Sequence, residues 1–166
     1  MTGRAILVAA ALAFAPAAHA DDLAKGQPVA DCIMAAASAY RLPPAILVIL
    51  LDVEGGSLGH VTANANGTVD IGPMQVNEAW LPKLELHWQA PKPAVYAALR
   101  DDFCANVEGG AWILRQGIDE AHGDLWEGVG IYHSHDPARM AAYLRGVEKD
   151  ALRRAGAASK SSGERG

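Results

Sequence analysis

Pro43-Pro44-Ala45-Ile46-Leu47-Val48-Ile49-Leu50-Leu51-Asp52-Val53-Glu54-Gly55-Gly56 is the stretch on which the fold turns. Two prolines suit a helix start, where the amide hydrogens have no partner within the helix. Two glycines suit its end. Ala45 to Leu51 is apolar all round, as in a helix buried on every side or a central strand. The proline start, the glycine stop and the length between them favour the helix, which puts Glu54 in its last turn. A carboxylate there loses hydration against apolar surface and meets the negative end of the helix dipole. Both effects raise its pKa and keep a proton available, as a general acid requires. For an arbitrary glutamate the ordinary reading is a solvent-facing helix end. Asp52, two positions away and on a different face, fits that ordinary reading better.

Upstream, a helix is expected from near Asp31 to Tyr40, with Cys32, Ala36 and Tyr40 at i, i+4 spacing. Downstream, Gly55 to Ile71 is rich in Gly, Asn, Thr and Ser. Asn66-Gly67 is a hairpin-turn signal, so two very short strands are expected around it. Asn77 to Leu84 reads as a short helix broken by Pro82, Trp88 to Pro93 as a loop, and Pro93 to Leu99 as another helix. Asp101 to about Ala121 makes a longer helix with Val107, Ala111, Leu114 and Ile118 on one face. Leu125 to His133 and Pro137 to Ala155 make two more. The expected class is mainly α: a helical domain with a small irregular or β-hairpin lobe. Residues 156–166, rich in Gly, Ala and Ser with scattered charge, are expected to be a disordered tail.

Composition narrows the function. The 166 residues are 51% hydrophobic and 20% charged, enough for one packed core. The net charge of -5 argues against nonspecific nucleic-acid binding, which needs concentrated positive charge. Met1 to Arg4 followed by apolar Ala5 to Ala17 and the small-residue site Ala18-His19-Ala20 has the form of a signal peptide, residues 1–20. The run is too short to span a bilayer and contains Pro16, so the expected mature domain, residues 21–155, is exported without a transmembrane segment. An oxidising compartment favours pairing of Cys32 with Cys104 over two buried thiols. Closing that loop stabilises the fold by roughly 4 kcal/mol on the chain-entropy model.

Two further clusters carry chemistry. In Asp70-Ile71-Gly72-Pro73-Met74-Gln75-Val76-Asn77, Gly72 permits close backbone approach, and Gln75 and Asn77 offer the donors and acceptors that amide and hydroxyl groups of a sugar need. Read plainly, the same segment is a turn with Asn77 as a helix cap. Tyr132, in Gly130-Ile131-Tyr132-His133-Ser134, is an ordinary packing tyrosine unless folding brings it beside Glu54. His133, His135 and Asp136 are a weak candidate metal set, with poor helical spacing and no HExxH-like pattern. No metal or cofactor is expected.

The ordered set Glu54-Gly55-Gly56, Gly72-Pro73-Met74-Gln75-Val76-Asn77, Asn106 with Ala111-Trp112-Ile113-Leu114, and Val129-Gly130-Ile131-Tyr132 resembles the lytic transglycosylases with a lysozyme-like fold. It is most like small exported members associated with conjugal transfer and type IV secretion. The likeness covers about Asp31 to Arg145. It departs at Gly55, where Ser is commoner, and at His133, where many members have Asn. The resemblance implies that Glu54 is the single catalytic acid/base, that peptidoglycan glycan strands are the substrate, and that the N-acetylmuramic acid to N-acetylglucosamine bond is cut with a 1,6-anhydro product. It makes Gln75 and Asn77 candidates to line the glycan groove and Tyr132 a candidate to hydrogen-bond the catalytic carboxyl or the substrate. It places the protein in the periplasm, with envelope-spanning secretion or conjugation proteins as possible partners. Asn64 to Gly72 is also similar to the hairpin of animal-type lysozymes, which makes Asp70 a possible second carboxylate and a hydrolytic muramidase the alternative. Asp70 could otherwise fix the hairpin through backbone bonds. A noncatalytic glycan-binding or assembly protein with the same fold is the remaining alternative, and retention of Glu54 argues against it.

Overall fold

The computed structural model describes residues 29–163. The expected signal peptide, residues 1–20, lies outside them, as do residues 164–166 of the expected tail. Helix α1 spans Val29–Tyr40 and α2 spans Pro44–Glu54. In α2, Ile46, Leu47, Ile49 and Leu50 are buried, and left-handed Gly55 ends the helix by donating its amide to the Leu51 carbonyl. The helical reading of the apolar run holds.

The glycine-rich lobe is a small antiparallel meander. Strands β1 (Val61–Ala63), β2 (Val69–Ile71) and β3 (Val76–Asn77) lie side by side in that order. Ala63 pairs with Val69 across the Asn66-Gly67 turn, and Asp70 lies between Thr62 and Asn77. The third strand was not expected. Two residues are too few to show alternation, and Val76 is held by pairing with buried Ile71.

A single turn of 3-10 helix, Glu78–Trp80, leads into α3 (Leu81–Trp88). Pro82 lies in the first turn of α3 and starts it, contrary to the expected break, because no helical hydrogen bond is lost there. Helix α4 spans Lys92–Asp101, α5 Phe103–Glu120, α6 Leu125–His133 and α7 Pro137–Gly163. Asp102 caps α5 through the Ala105 amide at 2.9 Å, and Asp124 caps α6 through the amides of Trp126 (2.8 Å) and Glu127 (2.9 Å). Helix α7 runs past Ala155, its expected end. Nothing between Ala155 and Gly163 forbids helix, and residues 155–160 are exposed.

Helix α5 is the axis of the core. Its stripe of Val107, Ala111, Leu114 and Ile118 is buried as expected. Cys32 and Cys104 are joined in a disulfide that ties α1 to α5. On the other side α6 crosses at backbone contact: a Cβ at Gly128 would lie 2.7 Å from the Ile118 amide nitrogen and Cα. That close crossing carries Tyr132, one turn further along α6, toward α2.

Three polar ties lock the helices. The Glu108 carboxylate of α5 accepts from the Tyr40 hydroxyl of α1 and from Trp88 Nε1 at 2.5 Å, with His87 Nε2 at 3.2 Å. Asp52 is exposed, as its ordinary reading has it, and pairs with Arg153 at 2.8 Å and with Arg154, which tethers α2 to α7. Asn106, fully buried, accepts from the Met74 amide at 2.7 Å and donates to the carbonyls of Ile71 (2.9 Å) and Leu99 (2.8 Å). Among the described residues no single helix is long and apolar enough to cross a membrane.

Replacing Asn106 by Leu leaves one amide and two carbonyls without their partner in the interior. At about 1–3 kcal/mol per orphaned group, the expected loss is at least about 3 kcal/mol in urea unfolding, with β2 and β3 displaced. In the same assay a Cys32→Ala/Cys104→Ala variant should lose roughly 4 kcal/mol. Wild-type stability in either variant would contradict the structural role of the residue replaced.

Candidate active site

Glu54 ends α2 at a cleft of about 570 Å³ between the meander and the corner where α6 meets α7. One wall is Asn64, Asn66, Asp70, Gln75 and Asn77, with Trp80 beside them; the other is Tyr132, His133, Ser134 and Arg139. The strands thus bring Asp70, Gln75 and Asn77 to the same cleft as Glu54, as the sequence led one to expect.

Burial pushes the Glu54 carboxyl up to about 7, aided by the charge of Asp70 and opposed by a hydrogen bond from Tyr143. The acid is therefore about half protonated near neutral pH, a state suited to giving and retaking a proton. Tyr143, on the buried face of α7, donates its hydroxyl hydrogen to Glu54 Oε1. Its own proton is held firmly, because burial and the Glu54 charge both disfavour a phenolate. His133 stacks flat on the other face of this unit, its ring 4.3 Å from that of Tyr143 and within 1° of parallel. Burial, and then the Arg139 charge, lower the His133 pKa, with Asp70 opposing, so the imidazole is neutral at neutral pH.

Tyr143 was missed by sequence reasoning, and Tyr132 does not make the carboxyl contact considered for it. Tyr132 donates to the Met74 carbonyl at 2.7 Å. It lines the cleft and steadies the Gly72-Pro73-Met74-Gln75 turn rather than the acid. The signal for Tyr143 was present: it shares a buried helix face with Val147, and a tyrosine on such a face needs a partner for its hydroxyl. Which partner, 89 residues away, no local pattern states.

The other candidates are partly occupied. Asn77 donates to Asp70 Oδ1 at 2.7 Å and to Thr68 Oγ1 at 3.0 Å, and accepts from the Ala79 amide at 3.0 Å. It caps the 3-10 turn, as the plain reading held, and aims Asp70. Gln75 donates to the Gly72 carbonyl at 2.8 Å, leaving its amide oxygen for a ligand. Gly56 is required by this packing, since a Cβ there would fall 2.1 Å from the Gly72 oxygen and 2.5 Å from Gln75 Nε2. Trp80 is braced edge-on by Trp112, ring centres 6.0 Å apart, and Trp112 stacks on His87 at 4.6 Å. His133, His135 and Asp136 diverge: His135 bonds Glu120 at 2.9 Å, and Asp136 accepts from the Arg139 amide at 2.8 Å. Among the described residues no group of three His, Cys, Asp or Glu side chains is arranged to hold a metal ion.

The two influences on Glu54 can be separated by carboxyl-carbon NMR titration. Tyr143→Phe removes a hydrogen bond to the charged form and should move the Glu54 pKa above about 7; Asp70→Asn removes a neighbouring negative charge and should move it below. Shifts in one direction for both variants would refute this electrostatic account. The raised pKa also predicts a stability effect. Above the unfolded value of 4.5 the unfolded chain releases this proton first, so folding stability falls as pH rises and levels off above about 7. Glu54→Gln should therefore stabilise the protein by about 3 kcal/mol at pH 8 and by nearly nothing at pH 4.

A partly buried, protonatable glutamate at the end of a core helix, a three-stranded polar lobe across the cleft and a tyrosine on the acid make up the site. Residues 31–152, which include every one of these elements, match the family model of the transglycosylase SLT domain. Comparison with curated proteins gives no match. The match spans most of the chain, and with it the protein belongs to the transglycosylase SLT domain family, the lytic transglycosylases that cut the glycan of peptidoglycan.

Proposed function

We propose that the protein cleaves the β-1,4 bond between N-acetylmuramic acid and N-acetylglucosamine, leaving a 1,6-anhydromuramoyl end, with Glu54 as the single acid/base. The observation that carries this reading is the desolvated Glu54 carboxyl held by Tyr143 at the cleft. Protonated Glu54 donates to the bridging oxygen, and the bond to C1 breaks toward an oxocarbenium-like or acetamido-assisted intermediate. The Glu54 carboxylate then takes the proton of the muramoyl 6-hydroxyl, whose oxygen closes on C1. The acid is restored and no water is consumed. The nucleophile is tethered to the reacting sugar, so its approach costs little entropy and needs no second carboxylate to orient it.

A hydrolytic muramidase is the second reading, because Asp70 lines the same cleft and its charge reaches Glu54. Asp70 would then act as nucleophile or charge stabiliser. Its hydrogen bond from Asn77 and its pairing position between Thr62 and Asn77 support a part in holding the hairpin as well.

Export to the periplasm is part of the proposal. The leader-like residues 1–20 and the Cys32–Cys104 disulfide support it, since disulfides persist in oxidising compartments. So is local opening of the wall for an envelope-spanning secretion or conjugation apparatus, which rests on the likeness to the small exported members.

Mass analysis of products from purified peptidoglycan tests the chemistry. Products lighter than the hydrolytic ones by one water are expected, and reducing muramoyl ends would favour the muramidase and Asp70. Glu54→Gln should lower turnover by a factor of about a hundred or more. Full wall-cleaving activity in that variant would remove the mechanism, and no cleavage by the wild type would leave the noncatalytic alternative.

A further inference from the structure

Arg139 stands in the first turn of α7, exposed, and lines the cleft. It is the only Lys or Arg among the cleft residues, which otherwise include the carboxyls of Glu54 and Asp70. Its backbone amide donates to Asp136, but among the described residues its guanidinium makes no hydrogen bond or ion pair. Arg100, Arg115, Arg153 and Arg154 all pair with carboxylates elsewhere on the molecule. Two neutral donors share its corner. Ser134 Oγ accepts from the Asp136 amide at 3.1 Å, which leaves its hydroxyl hydrogen to donate outward. The ring nitrogens of His133, stacked on Tyr143, have no hydrogen-bond partner among the described residues.

The substrate of the proposed reaction alternates two sugars that differ in one respect. The muramoyl residue carries a lactyl arm and the glucosaminyl residue does not. That arm ends in a carboxylate of its own where the strand is denuded, or in a stem peptide that bears carboxylates. On the acidic side of the cleft such a group meets repulsion from Asp70; at the α6–α7 corner it meets a permanent cation with five donors in a planar fork.

Resting on the function proposed above, we infer that Arg139, with Ser134 and His133 beside it, forms a carboxylate-recognition corner for the lactyl arm of the muramoyl residue. Binding the arm there sets the register of the strand, so that the muramoyl side of the bond, not the glucosaminyl side, is presented to Glu54. Arg139 is in this account a specificity residue, outside the proton transfers themselves.

Three glycan substrates distinguish the source of the charge: peptide-bearing strands, amidase-denuded strands with free lactyl carboxylates, and denuded strands whose carboxylates have been converted to neutral methylamides. The wild-type full chain should favour at least one charged form over the neutral form by about tenfold in kcat/KM, the size of one charge-assisted contact. Arg139→Ala should reduce that ratio to within about twofold of unity, and Arg139→Lys should retain part of it. The ratio lost identifies the stem peptide or the lactyl group as the partner. Equal wild-type rates on all three strands, or a ratio that Arg139→Ala leaves in place, would overturn the inference. Calorimetric binding of the same strands to Glu54→Gln, with and without Arg139→Ala, separates the two proposals. Arg139-dependent binding without anhydro products from the wild type would sink the chemistry and keep the corner, whereas anhydro products with charge-blind binding would do the reverse.

Discussion

The hydrogen bond from Tyr143 to Glu54 is the contact on which the site depends. Burial alone makes a carboxyl reluctant to ionise, and an acid that never ionises cannot take a proton back. The phenol offsets part of that cost by stabilising the charged form, while Asp70 works the other way. The balance leaves Glu54 close to neutral pH, able to stand in either state. The rest of the fold serves this balance. Asp52, two residues from Glu54, binds Arg153 and Arg154, ten and eleven residues beyond Tyr143, so the helix of the acid and the helix of its phenol are fastened at a second point.

The opposite wall has a different logic. The meander is thin, and most of the groups it presents to the cleft are side-chain amides, with the Asp70 carboxylate among them. Its inner edge is fixed by Asn106, which answers one amide and two carbonyls with a single side chain. A buried polar group of this kind is costly unless every partner is in place, and in this fold each is. The consequence is a turn at Gly72 to Gln75 whose position is set by α5 rather than by the short strands themselves. Tyr132 adds a bond to the same turn from α6. Two helices therefore determine where the cleft-lining residues of this wall stand.

How much of this could be read from sequence depends on the range of each interaction. The apolar run closed by Gly55-Gly56 identified α2 and the setting of Glu54, because both signals are local. The hairpin around Asn66-Gly67 was legible for the same reason. Strand β3 was not, since two residues have no period and their pairing is decided by Ile71 and Asp70 on the neighbouring strand. Pro82 was legible as a boundary but not as to which side of it the helix would lie. Tyr132 and Tyr143 show the limit most plainly. Likeness to a family singled out the first, but only the crossing of α6 and the docking of α7 decide which hydroxyl meets the carboxyl and which meets the Met74 carbonyl. The ordinary reading of Asp52 as solvent-facing holds, but its partners lie about a hundred positions away, beyond any helix-face argument.

The placement of Tyr143 on the last described helix has a consequence for biosynthesis. Chains emerge amino end first, and Glu54 leaves the ribosome or any translocation pore well before α7 does. Until that helix docks, the carboxyl lacks its phenol, His133 lacks the ring it stacks on, and α2 lacks the two guanidiniums that steady Asp52. The poised state of this acid is therefore acquired only once α7 is in place. A chain that has made α2 but not yet α7 holds the carboxyl without the partner that tunes it.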